Sequence, residues 1–195
     1  MKNNPRYIFV HCTATMSRKG ISQFDAVNQY HKSGHPLAPF PISSLGYHGG
    51  YHKIITNGHS LRYRLDTDQG AHCNKVVDGI SMNFQSVAVA LGIDGDRELP
   101  NDVDTALLVA DVKEWQAIYG IPNERVKFHR DYDTLKTCPG NLVTREWLSE
   151  KMGWRKTSPI PVVTKPPMTP KQARSLIRSL KLKVEKLLRK LKSKK

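Results

Sequence analysis

The chain has 195 residues, 38% of them apolar and 25% charged, with a formal net charge of +14. No apolar run reaches the roughly 18 residues that a membrane-spanning helix needs, so the sequence excludes such a helix. Its three cysteines, Cys12, Cys73 and Cys138, are odd in number and form no CxxC pair. That excludes a disulfide framework and a structural zinc ribbon, and it fits a reducing compartment during folding.

The elements follow in chain order. MKNNPRYIFV lacks the apolar core of a secretory signal, so the chain is expected to stay in the cytoplasm where it is made. Tyr7–Val10 reads as a short buried strand ending at His11. Ser22 with Asp25 resembles a capping box, and Phe24, Val27 and His31 follow at helical spacing. Lys53–Thr56 and Leu61–Leu65 flank Asn57-Gly58, a hairpin signal. Val87–Leu91 is a further strand, ending at Gly92. Asp102 is expected to cap a helix carrying Val103, Leu107, Ala110 and Trp115, closed by Gly120. Val126–Phe128 is a strand that delivers His129, and Asn141 starts a last helix through Trp147 and Leu148, stopped near Gly153. Strands mixed with helices predict an α/β domain over residues 1–153, with a central mixed β-sheet flanked by helices.

The charge is uneven beyond that point. Residues 1–150 carry 16 Lys+Arg against 16 Asp+Glu, whereas residues 171–195 carry 11 against a single Glu. The sequence pI of about 9.8 therefore describes the C-terminal end. Residues 154–170 read as a semi-rigid linker, because five prolines in this stretch disfavour helix and central strand alike. In residues 171–195, Ala173, Ile177, Leu180, Val184, Leu187 and Leu191 form a helical stripe. No acid falls at the flanking heptad positions, so a self-associating coiled coil gains no ion pairs. A basic amphipathic helix on an anionic membrane or lipopolysaccharide fits better, with packing on the domain and self-association as the other readings. The tail has no aromatic residue for base stacking, which disfavours nucleic acid as partner.

His11, His129 and Cys138 are the residues that carry chemistry. Two imidazoles and one thiolate can hold Zn²⁺ while leaving a coordination position for water, the pattern of catalytic zinc sites. Taken singly, each has a blander reading. A histidine after a strand is more often a hydrogen-bonded core residue, and a lone cysteine is usually a small buried hydrophobe.

The motifs around them resemble one family in order. Ile8-Phe9-Val10-His11-Cys12-Thr13-Ala14-Thr15 resembles the first metal motif of the type 2 N-acetylmuramoyl-L-alanine amidases, a family that includes short phage lysozymes and is related to the peptidoglycan recognition proteins. Gly50-Tyr51-His52-Lys53-Ile54-Ile55 resembles the family's Tyr-His strand, and Gly70-Ala71-His72 its groove histidine. Asn83-Phe84-Gln85-Ser86-Val87 resembles its approach to a central strand. Phe128-His129-Arg130-Asp131 and Lys136-Thr137-Cys138-Pro139-Gly140 resemble its closing metal motifs.

The resemblance covers roughly residues 6–153 and implies a zinc amidase that cuts the bond between N-acetylmuramic acid and L-alanine of peptidoglycan. It implies His11, His129 and Cys138 as metal ligands, Tyr51 and Lys136 as catalytic residues, and His52, His72 and Asn83 as substrate-groove residues. Tyr47-His48 competes with Tyr51-His52 for the catalytic register; the direct run into Lys53-Ile54-Ile55 favours Tyr51. The segments His35–Leu45 and Cys73–Met82 look longer than in the short phage enzymes. The resulting expectation is a monomeric phage or prophage endolysin, held in host cytoplasm and then released onto the cell wall. The alternatives are a non-catalytic recognition module, a regulatory protein that binds a polymerase or nucleic acid, and a cytosolic recycling amidase. The last usually carries Asp where Cys138 stands.

Overall fold

Strand β1 (Tyr7–Cys12) lies inside the sheet, and its sequence shows why. YIFVHC has apolar residues on both faces, which suits a strand covered on both sides. Its neighbour β6 (Ser86–Leu91, SVAVAL) is buried at every residue. The two run parallel, with Val10 opposite Val89. On the other side β1 runs parallel to β7 (Val126–Phe128), with Val10 opposite Phe128. β2 (Lys53–Thr56) pairs parallel with β6, and β3 (His59–Arg62) closes that edge antiparallel, giving the order β3-β2-β6-β1-β7. This is the mixed sheet expected. The computed structural model describes residues 2–20 and 22–154, so the expected linker (Trp154 excepted) and the expected tail helix lie outside the described residues.

The β2–β3 turn is tighter than the sequence reading. Asn57 and Gly58 both have positive φ, 50° and 79°, as a two-residue hairpin turn requires. β3 therefore starts at His59, not Leu61, and ends at Arg62. Beyond it the backbone N–H of Tyr63 turns to the His52 carbonyl (3.0 Å).

Helices α2 (Asp102–Tyr119) and α3 (Arg145–Met152) cover one face of the sheet. Leu108, Val112 and Trp115 of α2 and Leu148 and Met152 of α3 pack on Ile8, Val10, Val89 and Phe128. The buried stripe of α2 differs from the expected one. Val103 is 59% exposed and Ala110 is exposed, whereas Asp104 and Asp111 are buried with Leu108 and Val112. The inward face is partly acidic because the hairpin beneath it needs acceptors. Asp104 accepts from the Gly58 backbone N–H, and Asp111 accepts from Lys53 Nζ and Ser60 Oγ.

Three helix starts also differ. Asn101, not Asp102, caps α2 by accepting from Asp104 N–H (2.9 Å). Thr144, not Asn141, caps α3 by accepting from Trp147 N–H (3.0 Å); the Asn141 N–H is taken by the Asp96 carboxylate. The capping box of Ser22 and Asp25 is absent: α1 (Phe24–Gln29) has Gln23 at its cap without a side-chain bond, and Ser22 Oγ accepts from Phe24 N–H. α1 packs Phe24 and Val27 on Ile54, Tyr63 and Ala90, on the face opposite α2. A π-helical turn, Tyr30–Gly34, extends it. A small hairpin, β4 (Val76–Val77) and β5 (Ile80–Ser81), turns at Asp78-Gly79 and was not foreseen. The face with α1 and this hairpin holds the cleft.

Candidate active site

Parallel pairing brings the two histidines together. β1 and β7 run in the same direction, so their carboxyl ends coincide, and His11 and His129 emerge side by side with ring centroids 4.9 Å apart. Ligand sites at the carboxyl ends of parallel strands are the general rule for open α/β sheets. Cys138 arrives from the loop after β7. Arg130 holds that loop by donating to the Thr137, Gly140 and Val143 carbonyls. Asp96 holds it from the other side by accepting from Thr137 Oγ1 (2.6 Å) and Asn141 N–H (2.7 Å). The backbones meet at two glycines: a Cβ on Gly95 would lie 1.9 Å from the Pro139 oxygen, and one on Gly140 (φ +106°) 2.0 Å from the Gly95 carbonyl carbon.

His11, His129 and Cys138 thus place one donor atom each within 4.8 Å of one another. Cys138 Sγ lies 3.5 Å from His11 Nδ1 and accepts from the Cys12 backbone N–H at 3.4 Å. Burial first, then His72 and His129, holds the His11 imidazole well below the usual histidine range. Burial and Lys136 push His129 down to about 4. Both rings are therefore neutral near pH 7 with lone pairs available. The Cys138 thiol is pushed well up by its bond with Cys12 and by burial. A divalent cation reverses this, because a coordinating thiol is deprotonated outright. Two neutral imidazoles and a thiol suit Zn²⁺, and His129 and Cys138 border an open cleft of about 750 Å³ with His11 buried behind them.

The candidate helpers separate clearly. Tyr51 lines the cleft with its ring centroid 5.1 Å from that of His11. Tyr47 instead packs edge-on against Phe24 at 5.0 Å, away from the cleft. Burial, followed by the two thiols, raises the Tyr51 phenol far above its usual range, so it stays protonated. Lys136 also lines the cleft, with Nζ 3.9 Å from the Asp133 carboxylate.

His72 borders the cleft, its Nδ1 3.2 Å from His11 Nε2 and its Nε2 3.1 Å from Ser86 Oγ. Asn83 borders it too, but its Oδ1 is taken by the backbone N–H groups of His72 and Cys73. His52 does not reach the cleft. It is fully buried, its Nδ1 accepts from Ala88 N–H (3.1 Å) and its Nε2 faces the Asp68 carbonyl (3.2 Å), so it is a core residue and not a groove residue. Its ring lies beneath the cleft, with its centroid 6.2 Å from that of His72, and burial closes it off.

Both segments that look extended form cleft walls. Leu37, Pro39 and Phe40 of the first segment and Asn74 and Lys75 of the second line the cleft. His31 stacks on Phe40 (centroids 4.5 Å apart) and accepts from Gly50 N–H (3.0 Å). Tyr132 also lines the cleft and was missed in the sequence, although it follows His129 by one turn.

A family profile described as N-acetylmuramoyl-L-alanine amidase matches residues 1–141. Among curated proteins no relative matches. The fold is similar to that of the N-acetylmuramoyl-L-alanine amidase LysC from Clostridium intestinale URNW, at TM-score 0.59 and 22% identity, covering 77% of this chain and 87% of that one. It is similar also to bumblebee PGRP-SA, at TM-score 0.57 and 17% identity over 75% and 84% of the two chains. Drosophila PGRP-LB gives TM-score 0.56 and 19% identity over 78% and 82%.

Proposed function

The chain belongs to the N-acetylmuramoyl-L-alanine amidase family, and from that membership we propose that it is a zinc-dependent enzyme cutting the amide between N-acetylmuramic acid and the stem-peptide L-alanine. The observation that carries this reading is the convergence of His11, His129 and Cys138 beside Tyr51 and Lys136 at an open cleft. Held by those three residues, Zn²⁺ supplies a Lewis acid that polarises a carbonyl and acidifies water.

The chain's own residues supply the rest. The Lys136 ammonium stabilises negative charge that develops on the amide oxygen, a contribution of about 2.7–4 kcal/mol for one well-placed donor. Tyr51 stays protonated, so its hydroxyl orients water and donates a hydrogen bond; it is not the resting base. The walls at Phe40 and Lys75 grip the glycan–peptide strand across the cleft. His72 and Asn83 shape the groove floor.

Residues 171–195 give the enzyme an anionic target on the cell envelope, membrane or lipopolysaccharide, through their net positive charge and apolar stripe. This tail, and the likeness to a solved structure described as an endolysin amidase, support a phage or prophage endolysin acting on the bacterial wall. Zymography on purified sacculi, with and without a chelator, tests the activity. The expected result is lysis that stops on metal removal and returns with Zn²⁺, with mass spectrometry showing free L-alanine amines. Undiminished lysis after chelation refutes zinc dependence; tight muropeptide binding without new amines refutes the enzyme in favour of a recognition module.

A further inference from the structure

We propose that Ser86 and His72 form a one-way hydrogen-bond relay that fixes the tautomer of His11 and so presents Nδ1 as its metal-binding atom. The proposal rests on the metal-site reading above and extends it to residues outside the ligand set. A metal-bound histidine ordinarily donates its second N–H to a partner that sets its orientation.

The polarity follows from one end of the chain of bonds. The Met82 carbonyl can only accept, so the Ser86 hydroxyl, 2.6 Å away, donates to it. Ser86 Oγ then has only lone pairs to offer, and His72 Nε2 at 3.1 Å must be the donor. A neutral His72 with hydrogen on Nε2 has a bare Nδ1. That atom faces His11 Nε2 at 3.2 Å, so His11 carries its hydrogen there. His11 Nδ1 is left bare, and it is this atom that lies 3.5 Å from Cys138 Sγ among the ligands. Reversing one link sets two hydrogens or two lone pairs against each other.

The rings have little freedom to escape this order. His11, His72 and Ser86 are 1%, 7% and 0% exposed. Phe9 packs against both rings, at 5.8 Å from His11 and 5.2 Å from His72. The Gly70 backbone sits so close that a Cβ there would lie 2.6 Å from His72 Cδ2. Asn83 pins the backbone on either side of the His72 peptide. Ser86 and His72 are thus positioning residues: they act through His11.

The test uses the full chain with Zn²⁺ as the probe. Zinc affinity is measured by competition with a chromophoric chelator, at a temperature where circular dichroism shows each protein folded. Ser86→Ala is expected to weaken zinc binding by about 10- to 100-fold, and Ser86→Thr, which keeps the hydroxyl, to restore most of it. Imidazole ¹H–¹⁵N spectra of the wild type are expected to show both His11 and His72 with hydrogen on Nε2. A His72 with hydrogen on Nδ1, or Ser86→Ala with wild-type affinity, overturns the relay. If Ser86→Ala does not fold, His72→Phe keeps a ring and removes both links, and the same two results decide. A wild type that binds no zinc overturns the metal reading instead, while its imidazole spectra still decide the relay.

Discussion

Lys136 keeps its ammonium 3.9 Å from Asp133, near enough to be oriented and too far to be neutralised by a tight pair. Its side chain is half exposed, so the carboxylate costs it little. Replacing Lys136 with Ala is expected to lower turnover by about 10²- to 10³-fold, with zinc content unchanged; kinetics on a soluble muropeptide and metal analysis check both. His52 makes a different prediction. Burial pushes its imidazole down to about 4, against about 6.5 when unfolded. Between those values the unfolded chain binds a proton that the folded chain does not, so stability falls as pH drops from about 6.5 towards 4. The full effect of this one group is roughly 3 kcal/mol. Urea unfolding followed across that range should show the loss, and His52→Gln should flatten the part of the slope that His52 contributes.

At the scale of elements, the loop carrying Cys138 depends on the backbone contact between Gly95 and Gly140. A methyl group at Gly95 collides with backbone, which cannot step aside as a side chain can. Gly95→Ala is expected to destabilise the protein by about 1–3 kcal/mol and to weaken zinc binding by moving Cys138; thermal unfolding with and without added zinc separates the two effects. Arg64 ties the cleft loops in a similar way, donating from a buried position to the Gly49, Gln69 and Pro41 carbonyls. Neither device can be read from the chain, because each joins segments far apart in sequence. What could be read was local. The apolar run before His11 and the Asn57-Gly58 pair state their own conformations, and β1, β6 and β7 lie where their sequences put them. The α2 stripe was misjudged because Asp104 and Asp111 point inward to serve a distant hairpin. His52 was misassigned because a motif names a residue without saying how deeply the fold buries it. Asp78-Gly79 carried a turn signal as plain as Asn57-Gly58, but only two residues pair on each side of it.

For the whole molecule, charge and chemistry occupy different parts of the chain. The first 150 residues balance their charges, and the excess lies beyond them. Deleting residues 171–195 is therefore expected to leave hydrolysis of isolated sacculi intact while killing of intact Gram-negative cells falls. Turbidity loss of sacculi and viable counts, run in parallel, check the two halves of that statement.

The position of β1 has a consequence in time. It is the earliest of the described strands in sequence, yet it is flanked by two that come much later, with Ile8 opposite Val87 on one side and Val126 on the other. The growing chain therefore carries a long interval in which this largely apolar strand lacks both neighbours, and such non-local pairing is slow to form. Cys138, the last residue of the His11, His129 and Cys138 cluster, follows later still. A partly synthesised chain holds His11 without His129 and Cys138, so the cluster of these three donors exists only once nearly the whole domain does.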